Sequence, residues 1–200
     1  MSLLRLAKWS TVALLATSVG LAGQESLQKL FETGNYNAVV ERAAEGRGGS
    51  PEDTYMAALA FLKMENTGGS SAEFRRLQES GNEAWQQVGA SGVAMLDNND
   101  AEAVAAARRA AGMAGDNPYV QYQLGLAAAG ANDTNTAVTA FARATELQPD
   151  FAYAHYYAGQ AYQKQRNLAK AAEHYGYFLK LAPDSPDRPA VQAIMRTLRK

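Results

Sequence analysis

The sequence predicts an all-α protein: a solenoid of stacked antiparallel helical hairpins closed by a C-terminal capping helix. Three observations carry that prediction. A 34-residue period runs without a gap from residue 84 to residue 185. Within each period the apolar residues follow helical spacing, at i, i+3, i+4 and i+7. Turn residues punctuate the middle of each period, and proline or glycine its end.

Composition narrows the function classes before any motif is read. The chain has 200 residues, 47% of them hydrophobic, enough to bury a sizeable core. Its net charge is −1, which gives no basic surface for displacing counterions from a nucleic acid, so no nucleic-acid partner is expected. Cysteine is absent, which excludes disulfides, thiolate metal sites and cysteine nucleophiles.

The first 22 residues differ from the rest. Arg5 and Lys8 precede an uncharged apolar run, Trp9 to Ala22, and the small residues Gly20, Ala22 and Gly23 lead into Gln24 and Glu25. That order is a secretory signal peptide, with cleavage after Ala22. The run falls short of the ~20 residues a bilayer crossing needs. The alternative is an uncleaved inner-membrane anchor lengthened by Leu3, Leu4, Leu6 and Ala7. Either way the expectation is an exported protein, periplasmic or extracellular, meeting a membrane only through this segment.

Residues 23–83 are expected to form degenerate helical hairpins. Gly34-Asn35-Tyr36-Asn37 reads as an inter-helix turn followed by the stripe Val39, Val40 and Ala43. Gly46-Arg47-Gly48-Gly49 reads as a flexible link; following no strand, it is no phosphate loop. Ser50-Pro51-Glu52-Asp53 starts a helix through Tyr55, Ala58, Leu59, Phe61 and Leu62. Gly68-Gly69-Ser70-Ser71 is expected as a long link before a shorter helix through Phe74 and Leu77.

Units 84–117, 118–151 and 152–185 then align. Ala103, Ala137 and Ala171 recur, as do Met113, Leu147 and Leu181, and Asp116, Asp150 and Asp184. Ser91, Gly125 and Gly159 hold one position, while Ala107, Phe141 and Tyr175 hold another. Small residues at the first kind of position let backbones cross closely; the large rings are expected to reach into the neighbouring hairpin. Gly115, Pro149 and Pro183 lie just past the second helix, two of them unable to continue it. Residues 186–200 supply an amphipathic helix, apolar at Val191, Ile194, Met195 and Leu198 and polar at Gln192, Arg196 and Arg199. A solenoid needs such an outward-polar end. Its basic ending suits a helix C-terminus.

These residues resemble the tetratricopeptide repeat family. The pattern is met at Ala158-Gly159, Tyr162, Ala171, Tyr175, Phe178 and Pro183, and at Leu124-Gly125, Ala128, Ala137, Phe141, Ala144 and Pro149. In 84–117 it is degenerate, with Ser91 and Gly115 in place of Gly and Pro. The resemblance implies a right-handed superhelix whose first helices line a concave groove for a protein or peptide. The residues at those positions are Trp85, Val88, Tyr119, Tyr122, Leu126, Tyr153, Tyr156 and Gln160. Tyr and Trp suit an interface because they offer a large contact area with a polar handle; the same rings could instead pack between adjacent helices. One subtype of the family grips carboxylates with Lys, Asn and Arg at these positions. Aromatic and apolar residues stand there here, so apolar, weakly salt-dependent binding is expected.

Nothing nominates an enzyme, a cofactor or a metal. His155 and His174 lie 19 residues apart, not in the i, i+4 spacing of a helical zinc motif, and read as solvated or hydrogen-bonded side chains. No nucleophile elbow, Walker loop or dinucleotide fingerprint is present. Asn132-Asp133-Thr134 has the form of a glycosylation acceptor, meaningful only in a eukaryotic secretory pathway. The expected function is an exported protein-binding scaffold; a structural or assembly subunit of a cell-envelope complex is the alternative.

Overall fold

The computed structural model describes residues 25–45 and 49–198. The expected signal segment, most of the Gly46–Gly49 link and the final Arg199-Lys200 lie outside those residues. Every regular element among the described residues is a helix. Five antiparallel hairpins follow one another: α1 (Leu27–Glu32) with α2 (Tyr36–Glu45), α3 (Pro51–Lys63) with α4 (Thr67–Gln78), α5 (Glu83–Leu96) with α6 (Asp100–Met113), α7 (Pro118–Gly130) with α8 (Thr134–Leu147), and α9 (Ala152–Lys164) with α10 (Leu168–Leu181). The last helix, α11 (Arg188–Leu198), packs Val191 inward and leaves Gln192 and Arg196 exposed. None of these helices is long and apolar enough to cross a membrane.

The same device builds each hairpin. One residue of the turn inside every hairpin has a positive φ: Gly34, Glu65, Asn98, Asn132 and Arg166, between 57° and 81°. That left-handed residue ends one helix and lets the chain reverse. A side-chain oxygen then starts the next helix: Asn66, Asn99, Asp133 and Asn167 accept backbone N–H groups of α4, α6, α8 and α10. The first helices α5 and α7 are capped likewise by Asn82 and Asn117. At the equivalent place before α9 stands Phe151, which offers no cap.

Glycine at the crossing points is steric, as expected, but the partner is nearer than expected. A Cβ at Gly125 would lie 2.5 Å from the Phe141 ring, and one at Gly159 would lie 2.8 Å from the Tyr175 ring. Each ring therefore seats on its own hairpin's first helix. Phe141 also reaches the next hairpin, stacking on Tyr157 at 5.6 Å.

The glycine-rich segment at 68–71 is helix, not link. Asn66 caps α4 by accepting from the Gly69 N–H, so the helix begins at Thr67 and the turn stays short. Gly69 has no side chain because the Phe61 ring occupies its place, 2.6 Å from where a Cβ would be. Composition suggested a loop; packing between α3 and α4 demanded small residues.

Candidate interaction surface

Helices α5, α7 and α9 bring the expected ladder together. Trp85 and Val88, Tyr119, Tyr122 and Leu126, and Tyr153, Tyr156 and Gln160 lie at i, i+3 and i+7 spacing, hence on one face of each helix. The ladder extends one hairpin further than the 34-residue alignment reached. Tyr55 of α3 meets Trp85 at 5.8 Å and Tyr119 at 6.1 Å between ring centroids.

An open groove along the whole ladder is not what these residues form. Trp85 (4% exposed), Val88 (0%), Tyr122 (2%) and Tyr153 (0%) are core. The covering elements are the chain's own first helices and the loop before α9. Phe31 of α1 packs edge-on to Tyr153 at 5.0 Å, and Phe151 lies against Tyr122 at 4.8 Å. Tyr119, Leu126, Tyr156 and Gln160 are the rungs that keep partial exposure.

Polar groups fasten this closure. The Tyr55 hydroxyl donates to Gln123 Oε1 at 2.9 Å, and Gln123 Nε2 donates to Ser91 Oγ at 2.9 Å. Three hairpins are tied by that buried relay, which explains why the third hairpin has Ser where its successors have Gly. At the far end of the ladder Lys63 Nζ pairs with Asp187 at 2.7 Å, and the Tyr153 hydroxyl donates to the same carboxylate at 2.6 Å. The Lys63 ammonium also sits 4.6 Å from the Tyr153 ring centre. Burial works against ionising Asp187, but the bonds from Lys63 and Tyr153 win and hold it below the usual carboxylate range. Burial, together with the neighbouring carboxylate, pushes the Tyr153 phenol far up.

The open end of the inner face adjoins a recess of about 170 Å³ between α7, α8 and α9. Phe141, Tyr157, Gln160, Ala161 and Lys164 contribute to its wall. Tyr156 stands edge-on to Tyr157, which lines the recess, at 4.9 Å. Burial raises the phenols of Tyr156 and Tyr157 above their ordinary 10.0, and both are neutral hydrogen-bonding groups at physiological pH. Lys164, at the rim, donates to Asn132 Oδ1 at 2.7 Å. This surface can hold an apolar side chain and hydrogen-bond the backbone beside it.

The two histidines meet, which their sequence separation did not suggest. His155 Nδ1 lies 3.1 Å from His174 Nδ1, and His155 Nε2 lies 3.1 Å from the Pro149 carbonyl. A carbonyl only accepts, so His155 carries its proton on Nε2 and accepts on Nδ1. An antiparallel hairpin folds α10 back along α9, and that reversal brings His174 against His155 despite their separation in sequence. Tyr157 and Tyr55 were missed for another reason: they share one 34-residue register, but Gly89 and Gln123 stand between them at the intervening positions, so no aromatic recurrence shows.

Comparison with known proteins supports the repeat reading. Residues 122–186 match the tetratricopeptide repeat family. A thermophilic tetratricopeptide-repeat protein of Thermus thermophilus superposes with a TM-score of 0.62 at 17% identity, covering 86% of this chain and 95% of that one. YrrB, described as a tetratricopeptide-repeat protein with an unusual peptide-binding site, superposes with a TM-score of 0.53 at 19% identity, covering 84% and 88%. At such identities the likeness is one of fold. No curated protein matches the sequence.

Proposed function

Taking the tetratricopeptide repeats of 122–186 as premise, we propose that this chain is an exported, non-enzymatic adaptor holding a protein or peptide partner. The partner docks on the open end of the inner face, at Leu126, Tyr156 and Gln160. One observation carries this reading: Gln160, a half-buried rung, lines an apolar recess that offers only a few polar groups. Binding pockets have that character, with apolar walls for affinity and sparse polar groups for orientation. The rungs Trp85, Val88, Tyr122 and Tyr153 are core, and Tyr119 keeps partial exposure. A peptide is also the partner class named for YrrB.

The test is a combined Leu126→Ala, Tyr156→Ala, Gln160→Ala variant in an affinity measurement against the partner recovered with the wild type. At least a tenfold loss with unchanged helical circular dichroism is expected; unchanged affinity refutes the assignment. Affinity should fall little as salt is raised, because the one charge in the recess wall, Lys164, is already engaged by Asn132. Export is tested separately by N-terminal sequencing of the native protein, with a start at Gly23 expected and a start at Met1 contradicting cleavage.

A further inference from the structure

We propose that His155 and His174 form a binding site for a divalent transition-metal ion such as zinc, bound through the two Nδ1 atoms. Two nitrogens bonded to one ion at 2.0–2.1 Å and near-tetrahedral angle stand about 3.4 Å apart. The Nδ1 atoms are already 3.1 Å apart, so a slight rotation of one ring admits the ion.

The orientation is also that of a ligand pair. Metal-bound histidine commonly donates its other ring N–H to a carbonyl, which fixes both tautomer and ring angle. Pro149 provides that carbonyl for His155. His174 is held from its face by Tyr162, stacked at 5.3 Å, and His155 by Tyr177 at 4.9 Å. Both rings sit on full-length, packed helices, α9 and α10, so little freedom is lost on binding.

Proton balance is simple. His155 already presents an unprotonated Nδ1; His174 moves its proton from Nδ1 to Nε2, and no proton need be released. Burial favours the neutral form of both rings, with His174 lowered to about 4 through burial and the neighbouring His155. The charged groups felt at the pair are Glu173, a favourable anion, and Lys170, an opposing cation. No third histidine or carboxylate is clustered with the pair among the described residues, so the remaining coordination positions belong to water. His155 is buried while His174 keeps partial exposure, and water enters from the His174 side.

The test is calorimetric titration of the untagged native protein with zinc chloride, with magnesium chloride as the hard-cation control. One equivalent of zinc should bind saturably, and magnesium should not. The chain has only these two histidines and no cysteine, so competing soft sites are few. His174→Asn, at a partly exposed position that leaves the core intact, should weaken zinc at least tenfold, and His155→Gln should do the same. Absence of saturable one-to-one binding overturns the proposal, as does unchanged affinity in folded His174→Asn.

Discussion

Glu32 Oε1 accepts the backbone N–H of Ala152 at 2.9 Å, across 120 residues of sequence. Helix α9 has Phe151 where α5 and α7 have a capping Asn, and a carboxylate from α1 supplies the missing acceptor. Gln28 reinforces the contact, donating to Glu32 at 3.0 Å and to the Asp150 carbonyl at 3.2 Å. One hairpin end thereby completes another, and the solenoid closes on itself.

That cap carries a pH signature. Burial raises Glu32 above its ordinary 4.5, outweighing the hydrogen bonds from Gln28 and Ala152 that lower it. A carboxyl whose folded pKa exceeds its unfolded one stabilises the fold fully below the unfolded value. The contribution is lost as pH rises through the folded value. Wild type should therefore lose stability relative to Glu32→Gln between pH 4.5 and 7, measured by urea unfolding of both proteins across that range. An unchanged difference contradicts the buried position of this carboxyl.

Tyr55→Phe removes the hydroxyl that satisfies buried Gln123 Oε1. The expected cost is about 1–3 kcal/mol, that of leaving a buried acceptor unpaired, read from thermal or urea unfolding. A Ser91→Ala change breaks the other end of the relay and should be less than additive with it, since both act on Gln123.

Gly125→Ala gives a prediction of opposite sign to helix propensity. In an open helix the change stabilises by about 1 kcal/mol. Here the new methyl meets the Phe141 ring, and overpacking of about 1–3 kcal/mol should win. Adding Phe141→Leu should recover part of the loss, and a double-mutant cycle measures the coupling.

Arg166 holds φ 63° at the α9–α10 turn, on the surface. A left-handed conformation costs a non-glycine residue about 1–2 kcal/mol. Arg166→Gly should accordingly raise the unfolding midpoint, whereas glycine at a neighbouring helical position such as Lys164 should lower it.

The sequence disclosed the architecture more fully than the surface. Ala137 and Ala171, Gly125 and Gly159, Phe141 and Tyr175 recur because each crossing needs a small residue opposite a ring, and such needs repeat with the fold. Periodicity also placed the eight groove candidates on one face. It could not tell which of them are covered, because the cover comes from Phe31 on α1, Tyr55 on α3 and Phe151 in the loop before α9, none of which holds a ladder position in the 34-residue alignment. Gly68 to Ser71 misled for a related reason: a glycine that seats a ring and a glycine that opens a loop look alike in composition.

The central claim is that a partner meets the inner face at its open end, around Gln160, and not along the covered rungs or the outer helices. Site-specific photocrosslinking tests this most directly, with the reactive residue placed in turn at Gln160 on α9 and at exposed Glu146 on α8. The partner recovered with wild type should crosslink from position 160 and not from 146. Crosslinking from 146 alone would contradict this and assign recognition to the outer helices.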